Sequence, residues 1–189
     1  MTKVTSFPPL PQQPNTVAWP TETWPESPVP NSADKDEIQR LLDFAFSNPD
    51  ELGKTTAFVA VQGGKIVSER YYKGFGQAET YHSWSMAKSM THALIGIAMG
   101  EGLIDLHAPA NVPEWQTDGD PRAGITIEHL LRMSSGLEFT EDYEDSGISH
   151  TIEMLFGSGK EDVAHYAASK PLEHPIGSFW SYSFAGGGA

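Results

Sequence analysis

The stretch "SWSMAKSMTHALIGIAMGEGLIDL", residues 83–106, sets the reading of the whole chain. It places Ser85 three residues before Lys88, the only lysine in a long run of apolar and small residues. Such residues fall on nearly every face, the pattern of a buried helix, so the expectation is a helix from Ser85 to Met99 with Lys88 largely desolvated. Burying an ammonium costs several kcal/mol unless it is paired, and it favours the neutral amine, which can accept a proton. At positions i and i+3 the two side chains share a helix face, with Cβ atoms about 5–6 Å apart, so the amine can reach the hydroxyl. Free N–H groups and the positive dipole end are expected beside Ser85, where they would favour an alkoxide and an oxyanion.

S-x-x-K alone is a weak signal, and the chain holds a second copy, Ser32-Ala33-Asp34-Lys35. That copy lies where a proline-rich segment gives way to a polar helix start, so its serine reads as capping material and its lysine as a solvated charge. For the first copy the residues alone leave two readings open: a nucleophile with its base, or a buried lysine serving as a structural ion-pair partner.

The rest of the chain frames this helix. Residues 7–30 are rich in proline, with Trp19 and Trp24 interleaved, and read as an extended arm that docks on a surface. "SADKDEIQRLLDFAFSN" reads as an amphipathic helix with Ile38, Leu41, Leu42, Ala45 and Phe46 on one stripe and a capping box from Asp34 to Glu37. "TTAFVAVQGGKIVSERYY" reads as a β-hairpin turning at Gly63-Gly64. Further helices are expected over 127–133, 151–156 and 161–168. The organisation expected is an arm (1–32), the helix and hairpin of an α/β lobe (33–80) and a helical lobe carrying the S-x-x-K helix (81–189).

Composition narrows the function classes. With 12 Lys+Arg against 25 Asp+Glu the formal charge is -13, which repels phosphate backbones and anionic lipid, so neither nucleic acid nor membrane is an expected partner. With no cysteine there is no disulfide framework and no thiolate chemistry. The N-terminus lacks the apolar core of a secretory signal, which makes a cytoplasmic location the expectation. Glu141, Asp142, Glu144 and Asp145 lack calcium-loop spacing, and the seven histidines form no H-E-x-x-H pair, so no metal site is expected.

Residues 83–106, then "ITIEHLLRMSSGLEF" (125–139) and "HPIGSFWSYS" (174–183), resemble in order and spacing the serine β-lactamase-related hydrolases. The likeness is greatest to the 6-aminohexanoate-dimer hydrolase and carboxylesterase branch, and it covers roughly residues 80–183. The resemblance implies an α+β, β-lactamase/transpeptidase-like fold, with an antiparallel sheet, flanking helices and a helical lobe. It implies Ser85 as the acyl-accepting nucleophile, Lys88 as its activating partner and Tyr182 as the proton-shuttling tyrosine. In "LEFTEDYEDSG" it matches Tyr143 to a tyrosine that closes over substrate. It implies no cofactor, and a small-molecule ester or linear amide as substrate, with no indication of oligomeric state.

Two departures bear on that expectation. Where class C β-lactamases carry Y-x-N, position 184 is Phe184, which tilts the reading away from lactam turnover; the run "YSFAGGGA" also differs from the small residues of the ester branch. The chain ends before the K-T-G-like strand that supplies the second oxyanion donor, so the expectation is an N-terminal fragment with little turnover of its own. The alternative from another class is a non-catalytic or truncated penicillin-binding-like binding or sensor module.

Overall fold

The computed structural model describes residues 12, 14–17, 20–143 and 149–183. Trp19, Glu144, Asp145, Phe184 and the rest of the terminal "YSFAGGGA" run beyond Ser183 lie outside them. The chain divides into two compact units, Met1–Tyr81 and His82–Ala189.

In the first unit, helix α1 (Lys35–Ala45) starts where Asp34 accepts a hydrogen bond from the Glu37 N–H at 2.9 Å. The expected capping box is thus made in one direction only. Asp34, not Ser32, is the cap, because its carboxylate sits three residues before the N–H it must reach. Lys35 turns to Asn31 Oδ1 at 3.5 Å, so the second S-x-x-K copy forms no serine–lysine pair. Leu42 is buried on the apolar stripe while Leu41 is exposed, which narrows the predicted stripe. A short helix α2 (Pro49–Leu52) follows.

Strands β1 (Ala57–Gln62) and β2 (Lys65–Tyr71) pair antiparallel as the sequence predicts. Gly63 and Gly64 both have positive φ, 57° and 72°, the backbone a two-residue turn of this hand demands and side chains resist. A bulge between Ala60 and Val61 shifts the register. Among its described residues the arm docks through its backbone. Ser27 N–H donates to Ile66 O and Ile66 N–H to Pro25 O, each at 2.9 Å, adding a parallel bridge to the edge of β2. Trp24 remains half exposed. Arg70 on β2 ties α1 to the hairpin through Asp43 at 2.8 Å.

In the second unit, helix α3 (Met86–Gly100) ends in a Schellman motif: Leu103 N–H bonds to Ala98 O and Gly102 N–H to Met99 O, each at 2.9 Å. Helices α4 (Ile127–Leu131) and α6 (Val163–Ala168) are shorter than the sequence predicts, and α5 (His150–Phe156) starts one residue earlier. The start of α4 carries a capping box the sequence reading missed. Thr126 caps the His129 N–H, and the Thr126 N–H returns a bond to His129 Nδ1, imidazole replacing the usual Glu or Gln.

The core gathers Trp115, Ile125, Leu137, Phe139, Met154 and Ala167. Arg122 braces one side of it. Its guanidinium donates to Asp120 and to the carbonyls of Ala168, Lys170 and Glu114, and Asp120 is held below the usual carboxylate range by that hydrogen bond. Trp115 is 2% exposed and donates from Nε1 to Ala168 O at 2.8 Å. Truncating such a side chain leaves a cavity, so Trp115→Ala is expected to cost about 3–5 kcal/mol, read from the denaturant midpoint. A loss below about 1 kcal/mol would show that the core lies elsewhere.

One predicted feature fails. The apolar α3 was expected to be buried all round, yet Met86, Met90, Leu94 and Ile97 are 58–66% exposed, and Lys88 is its buried residue. Hydropathy records which surface prefers to leave water, and among the described residues no element covers those faces.

Candidate active site

The chain enters α3 through a tight turn. Trp84 has φ of 45°, a left-handed conformation that costs a bulky residue about 1–3 kcal/mol and that gathers at functional sites. Its side chain is 73% exposed, so packing does not account for the strain. The N–H groups of Met86, Ala87 and Lys88 bond to the carbonyls of Ser83, Trp84 and Ser85 at 3.0–3.1 Å. This corrects one expectation. The free donors predicted at the helix start are already engaged, because the first turn closes i to i+3. The Ser85 N–H takes no acceptor among the described residues.

Ser85 is the N-cap residue, but its side chain makes no capping bond. Its hydroxyl instead faces Lys88, whose Nζ lies 3.4 Å from Oγ. Lys88 is 9% exposed, and its Nζ sits 5.0 Å from the centroid of the Tyr182 ring. The structure brings together Ser85 and Lys88, paired by local helix geometry, and Tyr182, which only the resemblance named and which comes from the far end of the unit.

Tyr182 is delivered by a backbone ladder between two of the segments singled out in the sequence. Glu138 N–H bonds to Pro171 O, the Glu173 and His174 N–H groups to Gly136 O, Gly177 N–H to Ser134 O and Ser181 N–H to Met133 O, all at 2.9–3.1 Å. Gly136, at φ of 82°, lies so close to the returning strand that a Cβ there would stand 2.3 Å from His174 O. The "SSG" triplet hinted at this turn; nothing in the sequence marked its partner.

Tyr143 also lies near. Its hydroxyl donates to Glu141 Oε1 at 3.0 Å, and burial, then Glu141, then Tyr182 push its pKa up to about 12, which keeps the phenol neutral through the physiological range. The residue as a whole is 55% exposed. Glu141 and Asp142 beside it form no metal cluster among the described residues.

Comparison with known proteins shows the family. Residues 50–188 match the family model described as Beta-lactamase, well over half of the chain. The chain belongs to the beta-lactamase family. A relative within it, the 6-aminohexanoate-dimer hydrolase of Paenarthrobacter ureafaciens, is 28% identical over 91 residues, covering 48% of this chain and 23% of that protein. The solved structure called "Putative 6-aminohexanoate-dimer hydrolase from Bacillus anthracis" superposes with a TM-score of 0.62 at 23% identity, covering 87% of this chain and 45% of that one. The chain thus spans less than half the length of these beta-lactamase-family relatives. The α+β class and the antiparallel pair with its flanking helices agree with that fold. Among the described residues no helix is long and apolar enough to cross a membrane.

Proposed function

We propose that this protein is the nucleophile-bearing part of a serine hydrolase that acts on esters or linear amides through an acyl-enzyme. One observation carries the reading: a buried lysine amine 3.4 Å from a serine hydroxyl that is not used for capping. Such a contact is long for a hydrogen bond, as unliganded catalytic contacts often are, and it tightens when substrate excludes water. The relatives named as hydrolases support the class, and 6-aminohexanoate dimer is the amide probe they suggest.

In the proposed cycle the Ser85 Oγ–H bond breaks as Oγ attacks the carbonyl carbon, and Lys88 takes the proton. As the tetrahedral intermediate collapses to acyl-Ser85, Tyr182 donates its phenolic proton to the departing alcohol or amine and takes the proton held by Lys88 in its place. Water then attacks the acyl carbon and gives a proton to Lys88, and Tyr182 with Lys88 delivers that proton to Oγ as the Ser85–acyl bond breaks and the acid leaves. The Ser85 N–H is the backbone donor available to the oxyanion.

A chromogenic short-chain ester tests this. Catalytic turnover that disappears in Ser85→Ala supports the reading, whereas a stoichiometric acyl mass on Ser85 without turnover identifies a module that acylates and holds. Absence of both the turnover and the acyl adduct would overturn it. Tyr182→Phe keeps the ring beneath Lys88 and removes only the hydroxyl, so the expected result is a fall in kcat of about 10²-fold with the melting temperature unchanged. Unaltered kcat would remove the hydroxyl from the chemistry.

A further inference from the structure

Residues 140–143 leave the core at buried Phe139 and lead to Tyr143. Their base is fastened to the start of α5 at three points. Thr140 N–H donates to His150 Nδ1 at 2.9 Å, Thr151 N–H donates to Thr140 O at 3.3 Å, and Ser149 Oγ donates to Asp142 O. Two of these bonds use groups that hold no ionisable proton. The third does not: His150 Nδ1 can accept only while it carries no proton, and protonation would set one N–H against another. The imidazole lies against Phe139, with ring centroids 5.6 Å apart and planes at 52°.

We propose that His150 is a positioning residue for the candidate site, a proton-sensitive clasp that holds residues 140–143, and with them Tyr143, while Nδ1 is unprotonated and loosens them when it is protonated. The consequence for catalysis rests on the acyl-transfer reading above; the clasp itself does not.

The surroundings favour the accepting form. Burial and then the positive charge of Lys170 hold His150 below the ordinary histidine range, against the opposing carboxylates of Glu138 and Glu173. The sign follows from the direction. A depressed folded value means the clasp's contribution is fully present above the unfolded histidine value of about 6.5 and is lost as pH falls through the lower folded one. The state that grips Tyr143 is therefore the state at neutral pH.

The decisive variant is His150→Asn, whose Oδ1 can replace Nδ1 as acceptor but does not titrate. Nuclear magnetic resonance on the whole chain should show the Thr140 amide and the Tyr143 ring signals moving together with the His150 titration in the wild type, and staying still over that range in His150→Asn. In ester hydrolysis the wild type should show an acid limb that His150→Asn lacks. His150→Leu, with no acceptor, should lose about tenfold to 10²-fold in kcat/KM at neutral pH, mainly through KM, as a misplaced positioning group does. Thr140 or Tyr143 signals indifferent to the His150 titration would overturn the clasp, as would an acid limb unchanged in His150→Asn. If ester neither turns over nor acylates Ser85 in any variant, the acyl-transfer reading falls, while the resonances still decide the clasp.

Discussion

Replacing Lys88 with methionine is expected to lower the rate of Ser85 acylation by about 10³-fold while leaving the protein folded. The two halves of that expectation have separate causes. The amine is the group within reach of the Ser85 proton, so its loss leaves the hydroxyl to attack as a weak neutral nucleophile. The fold should persist, because methionine fills a similar volume and keeps the side chain packed against its neighbours. Acylation can be followed by intact mass and folding by the denaturant midpoint on the same samples. A variant that acylates at the wild-type rate would leave Lys88 a structural cation under Tyr182. A variant that fails to fold would show that the ammonium is needed by the helix, and Lys88→Arg, which keeps charge and loses basicity, then separates the two roles.

What could be read from the sequence follows the range of the interaction that fixes each feature. The hairpin was legible because two glycines between β-branched runs admit few alternatives, and both adopt the positive φ the turn needs. The pairing of Ser85 with Lys88 was legible because helix geometry alone brings i and i+3 together. Tyr182 was not legible from its own surroundings. Its position depends on a ladder joining residues 133–138 to 171–181, and only the resemblance pointed to it. His150 was invisible for the same reason, since an imidazole that accepts from a backbone N–H ten residues away has no local pattern. Two errors have local causes. The first turn of α3 closed more tightly than a regular helix, consuming donors expected to be free, and Asp34 outcompeted Ser32 as cap because it stands at the right offset. The exposed faces of α3 are a different matter: the hydropathy was read correctly, but burial needs a covering surface.

Gly136→Ala is expected to destabilise the second unit by roughly 2–5 kcal/mol and to lower activity at least as much as removing the Tyr182 hydroxyl. About 1–2 kcal/mol of the stability loss comes from forcing an alanine to φ of 82°. The remainder, about 1–3 kcal/mol, comes from overpacking, because the new Cβ would stand 2.3 Å from the carbonyl oxygen of His174. That atom belongs to backbone and cannot rotate away. Relief requires residues 173–174 to move, yet both of their N–H groups are bonded to Gly136 O, so the ladder opens where the clash is worst. Everything beyond it, up to Tyr182, then loses its register against Met133 and its place beneath Lys88. Gly119→Ala isolates the first cause, since Gly119 has φ of 80° with nothing within 4 Å of its Cβ position in the same unit. It should cost only the backbone part, about 1–2 kcal/mol, and leave acylation unchanged. The difference between the two variants measures how far the approach of residue 136 to His174 holds the candidate site together. Equal melting temperatures and equal acylation rates for both would mean that Tyr182 is held by something other than this ladder.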